Sequence, residues 1–502
     1  MTDLVGTAAV AVDTARINTA GIDTAGIDTA AVAPVPIAMP RVGRSEPTLL
    51  SGPEEHRPAL LALDAGEQYR FGFSMAACIG CHSCEVACAE QNGLPADTVW
   101  RRVGEIEGGE HPETRRFHLS MSCNHCLEPA CLEGCPTNAY EKLPNGIVAH
   151  DADECIGCQY CTWNCPYSVP AFQPDRRIVT KCDLCSPRLG AGFEPACVAA
   201  CPTQAITVEK VDVEEWRADH RAGDAPNLPS ASLTISTTRI ELPEDMPLET
   251  FAAGDWNLRP EHPHWPLVWL TILSQVAVGV SATAGPIAAR LLAAALAGAS
   301  LVGAIFHLGR PSRAYKALRN LRRSWLSREV ALLSLYAAFA AIAVPFASLR
   351  IVAAIAGAAG LFASGRLYIV PGRPAWNSPL TIVRFGATAL ATGPWLTGHP
   401  TLAIGGVAVA VAASAANWLR LRIDGSAPAR GALRLELRWF RRWTLLRLLL
   451  AAVAIAIGGT SVAIPFVLVV VSEIIGRWLF FVAVVPLNMP GAFWRGAAGS
   501  HR

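Results

Sequence analysis

From Trp265 onward the chain is a succession of long apolar runs separated by short polar stretches. A helix over the run from about 266 to 306 would be near 60 Å long at ~1.5 Å per residue, about twice the hydrocarbon thickness of a bilayer. The run must fold back, and Gly285-Pro286 is the natural break. The same reasoning divides 329–365 near Pro345 to Arg350, and 443–487 near Gly458 to Pro465. Two further spans cover roughly 380–396 and 400–419. The pattern predicts eight transmembrane helices in four tight hairpins, since a soluble helical domain does not sustain apolar runs of this length.

Ahead of Trp265 the pattern changes. NGIVAHD (145–151) and QAITVEK (204–210) alternate and favour strands, as in small hairpins. Residues 211–262 are rich in Asp, Glu, Pro, Ser and Thr without a sustained apolar period, which predicts a solvated linker. Residues 1–63 carry the imperfect repeat NTAGIDTAGIDTAAVA and few groups able to pack, so a disordered extension is expected. They show neither a basic segment ahead of an apolar run nor a twin-arginine pair, which argues against export. The predicted division is extension 1–63, cysteine domain 64–215, linker 216–262, membrane anchor 263–490 and tail 491–502.

The 502 residues carry a net charge of +1, so no overall affinity for polyanions follows, and no nucleic-acid partner is expected. The sixteen cysteines all fall between Cys78 and Cys201, in four groups of four. Cys78, Cys81, Cys84 and Cys88 form the first, Cys123, Cys126, Cys131 and Cys135 the second. Cys155, Cys158, Cys161 and Cys165 form the third, Cys182, Cys185, Cys197 and Cys201 the fourth. Groups one and three have the C-x2-C-x2-C-x3-C spacing of cubane clusters, in which the fourth thiolate reaches the other cluster of a pair. Proline follows Cys135, Cys165 and Cys201, suiting that change of direction, whereas Ala89 follows Cys88. Zinc prefers two C-x2-C pairs with a spacer, and disulfides want an exported chain. Four [4Fe-4S] clusters use every cysteine. The expected fold is an α+β bacterial ferredoxin-like four-cluster domain fused to an all-α polytopic membrane domain. Such a domain relays single electrons and depends on its clusters for stability.

Eight spans place both ends of the anchor on one side of the membrane. The connections on that side carry seventeen Lys/Arg between 307–384 and 420–442, whereas the opposite turns hold Arg290 and Arg350. The positive-inside bias predicts the cluster domain on the cytoplasmic face of the plasma membrane. Beyond Trp265 only His307, His399 and His501 are histidines, so a bis-histidine haem is not expected. Electrons would then pass between a lipid-soluble quinol and the nearest cluster. His307 closes the second span and Glu329 opens the third, both on the cluster side, where a base for quinol protons is needed. Each also has a plain structural reading: a helix C-terminal cap for His307, an ion pair with Arg328 for Glu329. Arg310, Arg328 and Trp325 are candidates to support the same site. Glu473 and Arg477, at i and i+4, are placed to neutralise each other.

The cysteine domain resembles the four-cluster electron-transfer subunits of molybdopterin oxidoreductases. That resemblance, not the spacing, pairs group one with four and two with three. It implies cluster A on Cys78, Cys81, Cys84 and Cys201, and cluster B on Cys182, Cys185, Cys197 and Cys88. Cluster C would take Cys123, Cys126, Cys131 and Cys165, and cluster D Cys155, Cys158, Cys161 and Cys135. Some members hold a three-iron cluster through a Trp at the position of Cys158; the cysteine here implies four irons. HLGRPSRAYKALRNLRRSWLSREV (307–330), GRPAWNSPLT and SEIIGRWLFF are similar to the membrane anchor of dimethyl sulfoxide reductase, in which residues at the positions of His307 and Glu329 bind menaquinol. The likeness covers residues 65–490 and fuses two subunits that are normally separate. It implies menaquinol oxidation and a separate molybdopterin catalytic subunit, in anaerobic respiration. The same wiring run backwards would serve a sulfite dehydrogenase-type complex. A polysulfide-reductase-like energy-coupling module is a further alternative.

Overall fold

A computed structural model describes residues 63–487, apart from 96–97, 109–110, 113, 227, 245–251, 254–257, 284 and 460–461. The predicted extension, except for residue 63, and the predicted C-terminal tail lie outside the described residues. The cluster-bearing and membrane-facing parts belong to one compact unit.

The cysteine-rich part is built from short elements: β1 (Glu67–Ser74), α1 (Ser83–Gln91), β2 (Arg102–Gly108), β3 (Arg115–Met121), α2 (Ala130–Gly134), β4 (Tyr140–Lys142), β5 (Val148–His150), α3 (Tyr160–Asn164), β6 (Ala171–Gln173), β7 (Ile178–Thr180), α4 (Ser186–Gly190), α5 (Ala196–Ala199), β8 (Ile206–Asp212), α6 (Val213–Ala218), β9 (Arg239–Glu241) and β10 (Ala252–Ala253). The predicted strand in 145–151 forms the β4–β5 hairpin, with Tyr140 opposite His150. The strand in 204–210 becomes β8, yet it pairs with distant β1 instead of a local partner, from Glu67–Asp212 to Phe73–Ile206. The core mixes Phe71, Phe73, Ile106, Leu119 and Ile206 with cysteines such as Cys84, Cys88, Cys123, Cys182 and Cys197.

The expected solvated linker is corrected here. Residues 213–241 fold back onto the cysteine domain: α6 buries Trp216, and β9 lies parallel to β1 through Gly72–Arg239. Thr234, Ser236, Thr237 and Thr238 are buried, and Thr237 Oγ1 and Thr238 Oγ1 donate to Asn124 O and Asn124 Oδ1. A segment without apolar period can still be buried when its hydroxyls find backbone acceptors. That pairing is invisible to a hydropathy reading.

In the membrane-facing part α7 (Trp265–Thr283), α8 (Ile287–Ile305), α9 (Trp325–Ile342), α10 (Arg350–Leu367), α11 (Leu380–Leu396), α12 (Pro400–Asp424), α14 (Arg441–Ala456) and α15 (Ala463–Val482) occupy the predicted places. They pack as the pairs α7–α8, α9–α10, α11–α12 and α14–α15. Six of them, not eight, are long and apolar enough to cross a membrane. The 17-residue α11 and the 16-residue α14 fall short in length, and Arg441, Arg442 and Arg447 occupy the first two turns of α14. The basic connection 420–442 is largely helical: α12 runs on to Asp424, and α13 (Ala427–Arg434) follows. Where α7 crosses α11, a Cβ on Gly393 would stand 2.5 Å from Gly279 Cα. Small residues let these backbones touch, which is how helices associate where no hydrophobic force separates lipid from protein.

Candidate cluster sites and their membrane interface

The cysteine loops owe their shape to left-handed residues. The two CIGC loops carry Gly80 and Gly157 at φ +68°, then His82 and Gln159 at φ +61° immediately before α1 and α3. This turns backbone N–H groups toward the thiols. Gly157 N donates to Cys155 Sγ (3.4 Å), Leu184 N to Cys182 Sγ (3.4 Å) and Ala139 N to Cys135 Sγ (3.3 Å). Thr234 Oγ1, from the supposed linker, donates to Cys126 Sγ at 3.1 Å.

Cys123, Cys126, Cys131 and Cys165 line one pocket. Cys78, Cys81, Cys84 and Cys201 line another. Cys135, Cys155 and Cys158 surround Cys161, and Cys185 and Cys197 stand beside Cys88, with Cys182 alongside. These are the sets A to D named above. All sixteen cysteines are free thiols. Among the described residues no three His, Cys, Asp or Glu side chains converge closely enough for a single metal ion. The thiols instead gather in fours, the donor set of a [4Fe-4S] cluster. Burial pushes the Cys88 and Cys126 thiols up to about 12, so the polypeptide alone keeps them protonated. A bound metal reverses that preference, because thiolate–metal bonds displace the protons. The residues therefore fit iron–sulfur clusters.

Set D lies against the membrane part. Gly309 N and Arg310 N donate to Gly157 O (3.3 Å) and Ile156 O (3.0 Å), and Arg310 Nη1 to Ala152 O (2.6 Å). Asn320 Nδ2 holds Cys135 O at 2.8 Å, and Ser324 Oγ holds Gly134 O at 2.8 Å. Lys316 Nζ pairs with Glu154 Oε2 at 3.0 Å, joined there by Arg319. The basic stretch between α8 and α9 is thus the surface on which the cluster domain sits. From the opposite side Tyr160 Oη donates to Leu367 O (2.9 Å), and Trp163 enters an aromatic group with Tyr368 and Trp376.

Of the predicted quinol-site residues, Glu329 is 3 % exposed and its Oε1 has no hydrogen-bond partner among the described residues. Ser364, Tyr160 and Tyr368 stand around it, while Arg328 does not pair with it. Arg328 turns back to Leu321 O (2.9 Å) and Arg322 O, its guanidinium 4.4 Å from the Trp325 ring. His307 Nδ1 bonds Ala304 O at the end of α8, as a helix cap does. Arg310 serves the domain contact. Glu473 and Arg477 do not form a direct ion pair with each other either. Glu473 accepts from Thr388 Oγ1 (2.6 Å) and lies 3.7 Å from Arg447, whereas Arg477 donates to Gln275 Oε1 (2.9 Å) and stacks on Phe385. Sequence reasoning missed Tyr160, Trp163 and Asn320. The aromatic pair in CQYCTWNC was the available signal.

Residues 114–211 match the 4Fe-4S dicluster domain family, and residues 260–404 match the DMSO reductase anchor subunit (DmsC) family. Over 177 residues the chain is 37% identical to an anaerobic dimethyl sulfoxide reductase chain of Haemophilus influenzae, covering 34% of this chain and 86% of that protein. The chain belongs to the dimethyl sulfoxide reductase subunit family. It joins that family's iron–sulfur and anchor subunits in one polypeptide. A further member, the probable anaerobic dimethyl sulfoxide reductase chain YnfG of Escherichia coli, is 40% identical over 33% of this chain and 85% of its own length. A sulfite dehydrogenase subunit of Allochromatium vinosum is 39% identical over 26% of this chain and 62% of its own. Membership makes the chain an iron–sulfur electron-transfer protein anchored in a membrane.

Proposed function

We propose that this chain oxidises menaquinol beneath set D and passes the electrons through four [4Fe-4S] clusters to a separate molybdopterin catalytic subunit. The observation that carries the proposal is the buried Glu329 carboxylate, whose Oε1 lacks a donor among the described residues and which lies beside Tyr160 at the start of α3, between ligands of set D. A quinol hydroxyl supplies the missing donor. Menaquinol becomes menaquinone by releasing two electrons and two protons. Glu329 Oε1 accepts one hydroxyl proton. His307, with Nδ1 tied to Ala304 O, offers Nε2 to the other. Trp325, one turn ahead of Glu329 on the same helix face, flanks the ring.

Bound clusters supply one-electron carriers in series. The protein supports the order D, C, B, A: set D touches the membrane part, Tyr140 stands among thiols of C and D, Cys182 of B neighbours Cys123 of C, and Cys84 of A neighbours Cys197 of B. At the far end Cys81 is exposed, flanked by exposed Ile79 and Val86, where a catalytic subunit can approach. The seventeen basic residues on the cluster side favour the cytoplasmic face, with α11 and α14 completing eight spans in a thinned or shared position.

Glu329→Gln and His307→Ala are each expected to slow menaquinol-driven cluster reduction by ~10²-fold or more, with dithionite-driven reduction unchanged. Wild-type rates in both variants would sink the site. The reverse direction has one observation in its favour, the identity with the sulfite dehydrogenase subunit of Allochromatium vinosum. Cluster reduction by sulfite plus the co-purified catalytic subunit, and not by menaquinol, would select it.

A further inference from the structure

The four thiol sets follow one another through the domain, and a buried polar side chain stands at each junction. Between D and C it is Tyr140, flanked by Cys131, Cys135 and Cys161. Between B and A it is Arg101, 2 % exposed, which donates to Ser120 Oγ (3.1 Å) and Ser122 Oγ (2.9 Å) and faces Cys84, Cys88, Cys182 and Cys197. The junction between C and B is the one that joins the two cluster pairs, and Lys181 occupies it.

Lys181 is 3 % exposed and lines the cavity of set C, while its chain neighbour Cys182 belongs to set B. Its Nζ donates to Cys182 O at 2.9 Å and to Val148 O. The groups that face it are the sulfurs of Cys123, Cys131 and Cys182, not a carboxylate. An ammonium buried this deeply is costly unless compensated, and the sulfurs of two different sets would compensate it as thiolates once they hold their clusters. Reduction would add a negative charge to one set or the other, and an ammonium facing sulfurs of both would stabilise that charge on either side.

We propose that Lys181 is the positioning charge of the C–B junction, raising the electron affinity of both adjoining clusters and so joining two cluster pairs into a single relay. One electron leaves C, which is oxidised, and arrives on B, which is reduced, with no bond made or broken. The proposal rests on the four-cluster reading above, which is checked first and separately by iron content: about sixteen irons per chain are required.

The test is an EPR-monitored redox titration of the full chain in detergent, comparing wild type with Lys181→Met and Lys181→Arg. In Lys181→Met the reduced-to-oxidised ratio of clusters C and B at their wild-type midpoints is expected to fall about tenfold, equivalent to ~59 mV for a one-electron couple. Clusters A and D should move much less, and Lys181→Arg should stay close to wild type. Equal midpoints in the Met and Arg variants, with full iron in both, would overturn the proposal. If Lys181→Met fails to load iron, Lys181→Gln takes its place. Failure of both neutral variants to load while Arg loads fully would assign the charge to cluster assembly and likewise overturn it.

Discussion

Gly157 and Gly309 show how single residues set the contact between the cluster domain and the membrane-facing part. Gly157 sits at φ +68°, and a Cβ there would stand 2.9 Å from Gly309 Cα, so the two backbones meet with no side chain between them. Gly157→Val is expected to cost about 1–3 kcal/mol through left-handed strain and the clash. It should slow menaquinol-driven cluster reduction at least tenfold while leaving dithionite-driven reduction intact, a difference that stopped-flow absorbance resolves. The motif CIGC marks Gly157 as a loop residue and GRP marks Gly309, yet their contact joins positions far apart in the chain. No local pattern encodes it. Glu329 and His307 stand out in the sequence as titratable groups at the cluster-side ends of apolar runs. Tyr160 does not, because an aromatic beside a cysteine reads equally well as core packing.

At the scale of elements, the long apolar runs located eight of the described helices of the membrane-facing part but not α13, since turn positions are forced by bilayer thickness and by Gly and Pro. Length was the weaker inference. Arginines at a helix start shorten the apolar stretch of α14, and Arg420 keeps α12 helical past its apolar end by bonding Pro374 O at 2.6 Å. Polar composition misled where α6 and β9 are concerned, because burial there rests on Trp216 and on hydroxyls matched to backbone carbonyls. Trp216 donates through Nε1 to Ser236 O at 2.8 Å and lies under the Arg70 guanidinium. Trp216→Ala is expected to destabilise the cluster domain by about 3–5 kcal/mol. The loss should appear as earlier thermal bleaching of the cluster absorbance; an unchanged bleaching temperature would return this segment to the status of a spacer.

At the scale of the molecule, the cofactors and the membrane replace much of an ordinary core. Removing iron by chelation under denaturing conditions should leave a cluster domain that regains its far-ultraviolet dichroism only when iron and sulfide are restored. Refolding without metal would contradict that dependence. The side of the membrane is tested by protease added to right-side-out vesicles. Protection of the cluster domain is the expected outcome, and its digestion would reverse the assignment drawn from the basic connections.

The placement of β9 also constrains how the protein is made. β1 lies between β8 and β9, so the central sheet stays open until Arg239–Glu241 has left the ribosome. The first membrane-facing helix begins at Trp265, a short distance later, while those residues are still inside the exit tunnel. Closure of the cluster domain and delivery of the nascent chain to the membrane therefore fall in the same interval of synthesis. A single fused polypeptide therefore completes its central sheet close in synthesis to its first apolar helix, an order that two separately translated subunits would not share.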